Sequence, residues 1–91
     1  AELGKFIVFK AAINLLERAV RALKGSGSIT EAYASYNLAY TRFAMGVCSG
    51  VLNLLDRSHA IQGYREEIEE LRQAAYDRCV LGNTGGDGDD D

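Results

Sequence analysis

The chain of 91 residues has no proline, one histidine and two cysteines. Without proline, nothing locks φ or removes a backbone donor inside an element, so a few long uninterrupted elements are expected. Two cysteines cannot make a disulfide scaffold, and no collagen-like or mucin-like composition is present. Ten Lys and Arg against thirteen Asp and Glu exclude a strongly basic nucleic-acid module. The opening residues AELGKFIVFK lack a basic stretch followed by an apolar run and a small-residue cleavage site. That argues against secretion and for a cytoplasmic chain. The best membrane candidate, 32–55, carries Ser35, Asn37, Thr41, Arg42, Ser49 and Asn53. This is too polar for a span, so it reads as a buried helix.

What is present suffices for one domain. Apolar residues make up 47 % of the chain, enough to offset the cost of ordering it but with little surplus. Asp87, Asp89, Asp90 and Asp91 account for more than the whole net charge of −3. The body is therefore near neutral. Residues 83–91 are glycine, aspartate, one asparagine and one threonine, and are expected to form a disordered acidic tail behind a single helical domain, 1–82.

Three helices are predicted, over about 3–24, 29–57 and 60–81, because apolar residues recur at intervals of three and four. In the first, Phe6, Phe9, Ile13, Leu16, Val20 and Leu23 form one stripe, and Val8, Ala12, Leu15, Ala19 and Ala22 widen it. A face that wide predicts contact with more than one neighbour. Lys24 and Gly25 end the helix. Ser28 and Glu31 have the spacing of a capping box, in which the serine accepts from the Glu31 amide and the glutamate reaches back to the Ser28 amide. The Gly25-Ser26-Gly27-Ser28 turn also has the composition of an engineered linker, so a designed bundle stays among the readings.

The second helix carries Tyr33, Tyr36, Tyr40, Phe43, Val47 and Leu54 on one stripe, with small or apolar residues around it, and is predicted to be central. Gly46 and Gly50 read as a flat spot for close helix packing. A turn is placed at Asp56-Arg57-Ser58-His59 before Gly63, with Ser58 as N-cap. The apolar phase nevertheless runs on unbroken through Ile61, Tyr64, Ile68, Leu71 and Ala75. The alternative is a helical hairpin with one long arm, 29–81, that would oligomerise to cover its seam. The third helix is polar around a narrow seam, with Arg65 and Glu69 set for an i,i+4 pair. The expected core is Phe6, Phe9, Ile13, Leu16, Val20, Tyr36, Phe43, Val47, Leu54, Ile68 and Leu71.

Chemistry is sparse. His59 is the lone histidine and reads as a solvated residue near a turn, so no catalytic constellation, cofactor site or metal site is predicted. With a turn near residue 60, Cys48 lies opposite residue 72 and Cys79 about 10 Å beyond it at ~1.5 Å per residue. Two free buried thiols are therefore expected, consistent with a reducing compartment.

One segment carries a resemblance. Gly27-Ser28-Ile29-Thr30-Glu31-Ala32, followed by Tyr36, Ala39 and Phe43, resembles a helix-turn-helix pattern shared by tetratricopeptide repeats and the microtubule-interacting and transport (MIT) domain. No second ~34-residue copy is present, so the chain looks more like the MIT domain. Ala12, Ile13, Leu15 and Ala19 resemble that family's first-helix run. Ile29 stands where an aromatic residue is usual, and the turn is short. The resemblance implies a non-catalytic module that binds an amphipathic helix, with C-terminal tails of ESCRT filament subunits as partners.

The expected fold is thus an all-α antiparallel three-helix bundle. Its expected role is protein–protein interaction, with Glu67, Glu70, Ala74 and Asp77 of the third helix lining the partner groove. A self-assembling structural protein is the alternative. Membrane-surface action through Lys5, Lys10, Arg18, Arg21 and Lys24 of the first helix is a weaker third.

Overall fold

The computed structural model describes the backbone of residues 2–82 and the side chains of Val8 and residues 10–82. The predicted tail, 83–91, and the core positions Phe6 and Phe9 lie outside the described side chains. The described chain is all-α. Helix α1 spans Glu2–Leu23, α2 Ile29–Ala44, α3 Val51–Gln62 and α4 Glu66–Ala75, which runs on into a π-turn, Tyr76–Val80. Four helices replace the expected three.

The first turn forms much as the sequence dictates. Gly25 takes a positive φ of 83° and stops α1. The Ser28 hydroxyl accepts from the Glu31 amide at 3.1 Å, satisfying one of the free donors at the start of α2. The return half differs. The Glu31 carboxylate reaches past Ser28 and accepts from the amides of Gly27, at 2.8 Å, and Gly25, at 3.3 Å.

The predicted second helix is cut in two. Residues 45–50 leave helical geometry because Gly46 and Gly50 adopt φ of 79° and 75°, a region that penalises any side chain. The reading of these glycines as a packing flat spot is corrected: a Cβ at either would meet nothing within 4 Å. Backbone conformation, and not close approach, explains glycine here. The next break falls at Gly63, not Ser58, and a single arm over 29–81 is excluded by both interruptions. Ser58 lies inside α3, fully buried, and donates to the Ala32 carbonyl at 3.0 Å.

Moving that turn corrects the thiols as well. A reversal centred near residue 64 sets Cys48 opposite residue 80, and the π-turn brings Cys79 alongside. Cys48 and Cys79 form a disulfide, with Cα atoms 5.6 Å apart. The expected free thiols, and the compartment argument built on them, fall away.

Helix α2 is central, packing against α1, α3 and, less extensively, α4. It buries the small residues Ala32, Ala34, Ser35 and Ala39, which let helices approach from two sides. The main cluster joins Ala39 to Val51, Leu55, Leu71 and Ala75, with Tyr36, Phe43, Leu52 and Leu54 at its edge. Ile68 and Leu71 are buried as expected, whereas Val47 sits in the loop at 39 % exposure. Ile13, Leu16 and Val20 are only half-buried against α2. The outer face of α1 is open: Val8 and Leu15 are each 64 % exposed. The wide apolar face predicted to meet several neighbours is thus half used.

Candidate functional site

Three constellations result from this packing. The first is a charged knot under the α1–α2 turn. Glu31 is 2 % exposed, and the Arg57 guanidinium of α3 grips its carboxylate in a two-pronged fork, Nε to Oε2 at 2.8 Å and Nη2 to Oε1 at 3.0 Å. The Arg57 hydrogen bond is the largest influence on the acid. Burial opposes it, the Gly27 and Gly25 amides reinforce it, and the pKa is lowered to about 2. Every acceptor position is filled from within. The knot ties the turn to α3 and has no capacity left for a ligand.

The second is a shallow groove of about 440 Å³ between α3 and α4, lined by Leu52, Asp56, Glu69, Arg72, Gln73 and Tyr76. Arg72 donates to Asp56 at 3.0 Å and to Glu69 at 2.9 Å. Glu69 also pairs with His59 Nδ1 at 2.6 Å. His59 is therefore a partner of α4 within α3 and not the solvated turn residue expected. Glu69 is taken by these two groups, and Arg65 bonds Gln62 instead of forming the expected i,i+4 pair. The charges of this groove satisfy one another and dock α4 on α3. Among the described residues no group of three or more His, Cys, Asp or Glu is placed to hold a metal ion.

The third constellation faces outward. Ile29, Tyr33 and Tyr40 lie on one side of α2 and are each at least half exposed. Tyr36 sits at the inner edge of this face, its ring nearly parallel to that of Tyr40 with centroids 6.4 Å apart. The edge of α4 that borders Tyr36 carries Glu67 and Glu70. Burial raises the pKa of the Tyr36 hydroxyl, and the charges of Glu67, Tyr40 and Glu70 raise it further. Tyr36 thus connects the exposed tyrosines of α2 to the edge of α4 that carries Glu67 and Glu70.

Of the four expected groove residues, Glu67, Glu70 and Ala74 are exposed and share one stripe of α4. Asp77 falls in the π-turn, is half-buried and accepts from Gln73 Nε2 at 3.1 Å. The sequence sets Tyr33 and Tyr40 on the apolar stripe of the predicted second helix, outside the expected core and outside the expected partner groove. Their hydroxyls were the available signal, since a fully buried tyrosine needs a partner for its O–H.

The π-turn anchors the far end of the molecule. Arg78 lies 3.7 Å over the Phe43 ring and donates to the Phe43 carbonyl at 2.7 Å, beside the disulfide. Arg42 closes the same end by pairing with Glu17 of α1 and donating to the Ser49 carbonyl. Among the described residues no helix is long and apolar enough to cross a membrane. No protein-family model, curated protein or solved structure matches this chain.

Proposed function

We propose that the chain is a non-catalytic interaction module whose α2–α4 face receives an amphipathic helix. The observation that carries this reading is the exposure of Tyr33 and Tyr40 on α2 and of Glu67 and Glu70 on α4, with Tyr36 between the two sets. Tyrosine offers a large rigid contact surface at low entropic cost, and a helix laid in a groove is read through apolar anchors at turn spacing. Two carboxylates at the border select a guest with basic flanks. The Glu31–Arg57 and Asp56–Arg72–Glu69–His59 groups are occupied in holding helices together, which favours this face for recognition. Should the MIT resemblance extend to partners, the guest would be the C-terminal tail of an ESCRT filament subunit. Disulfides are rare in reducing compartments, so the Cys48–Cys79 bond favours an oxidising one and counts against both the cytoplasmic placement and that guest.

Titration with a synthetic helix patterned from leucine and lysine tests the proposal, read by amide chemical shifts. Saturable, salt-weakened binding centred on α2 and α4 is expected, weakened about tenfold or more by Glu67→Lys with Glu70→Lys. Absence of binding, or binding indifferent to those substitutions, overturns it.

A further inference from the structure

The guest that this face calls for is an apolar-faced helix with basic flanks, and one such helix is exposed on the molecule itself. The outer side of α1 presents Val8, Ala11, Leu15 and Ala22 in one stripe, all exposed. Arg18 and Arg21 stand beside them and form no ion pair among the described residues. The spacings match. Val8 and Leu15 are seven residues apart, as are Tyr33 and Tyr40, which places each pair about 10 Å apart along its helix. Arg18 and Arg21 are three residues apart, as are Glu67 and Glu70. The signs of Arg18 with Arg21 and of Glu67 with Glu70 are complementary.

We propose that the outer face of α1 docks on the Tyr33–Tyr36–Tyr40 and Glu67–Glu70 face of a second copy of this chain. The inference rests on the helix-docking reading above and names its occupant. Because the two surfaces differ, the contact is head-to-tail, and the pair retains one unused surface of each kind, one on each copy. Association then continues into chains or closes into a ring. It also supplies the second neighbour that the width of the α1 apolar face demands.

Sedimentation equilibrium of the full chain from micromolar to millimolar concentration gives the first test, with mass expected to climb with concentration and to fall with added salt. Two surface variants give the second. Leu15→Gln with Arg18→Gln spoils the α1 face by removing its anchor and its charge, and Glu67→Lys with Glu70→Lys spoils the acceptor. Each variant alone should be monomeric with an unchanged helical spectrum. Mixed in equal amounts, they should pair one to one and stop, because one intact surface of each kind remains. Monomeric wild type at every concentration, association of either variant alone, or failure of the mixture to pair overturns the proposal. If the chain stays monomeric while the leucine–lysine helix still binds in a Glu67- and Glu70-dependent way, self-docking falls and the docking surface stands. If that helix fails too, both fall.

Discussion

The α1 helix and the α2–α4 body are held by different means. Among the described residues of α1 none is fully buried, and its best contacts are half-exposed side chains laid along α2. In the body, Ala32, Ala39, Val51, Leu55 and Ala75 are wholly withdrawn from solvent. The Arg57–Glu31 fork, the Arg78 clasp on Phe43 and the disulfide add specific ties. The described side chains of α1 therefore bury less per residue than those of the body. The exposed apolar side chains Val8 and Leu15 are what the proposed docking would cover, without competing with the core.

The contrast can be broken most severely at Leu55. Leu55→Ala leaves a cavity in the body and should cost about 2–5 kcal/mol, seen as a lower urea midpoint. Leu16→Ala on half-buried α1 should cost about 1 kcal/mol, since less area returns to water. Equal losses would erase the distinction between the two regions. Next in size is the disulfide. Cys48→Ser with Cys79→Ser frees a loop of sequence separation 31 and should cost about 3–4 kcal/mol by chain entropy, measured by denaturation. The released π-turn should then exchange its amides faster while α1 is unaffected.

Two buried serines sharpen the comparison inside the body. Ser58→Ala removes the bond to the Ala32 carbonyl, which keeps its own partner within α2, and should cost about 0.5–1.5 kcal/mol. The Ser35 hydroxyl is buried with no partner among the described residues, so Ser35→Ala should be neutral or slightly stabilising. Thermal midpoints moving in the same direction by the same amount would contradict this assignment.

Acid provides the gentlest probe. The Glu31 carboxyl has a folded pKa of about 2 against an ordinary 4.5. Its contribution is therefore complete above about pH 4.5 and is lost as pH falls from there toward 2. Glu31→Gln should flatten the stability profile over that window. An unchanged profile would remove Glu31 as the tie between the α1–α2 turn and α3.

The same contrast explains what the sequence disclosed. Local chemistry was legible. Gly25 stopped α1, Ser28 capped α2, and the Ile68–Leu71 seam of α4 turned inward. The break at 45–50 was hidden because Gly46 and Gly50 sit in an unbroken apolar phase, and glycine signals both close packing and positive φ. Ser58 was misread because a serine suited to capping is equally suited to donating from a buried helix face to a neighbour's carbonyl. One misplaced turn then propagated: a shift of about four residues in the reversal moves the facing register by about eight, enough to hide the disulfide. For the docking face, the carboxylates Glu67 and Glu70 were legible as a stripe. Tyr33 and Tyr40 were not, because periodicity marks a stripe without saying whether a neighbour covers it.

Residue-resolved amide exchange of the intact, oxidised chain across a wide concentration range tests the central claim most directly. Body amides of α2–α4 should be strongly protected at every concentration, with α1 weakly protected in dilute solution and increasingly so as copies dock. Protection of α1 equal to that of the body and independent of concentration would contradict it.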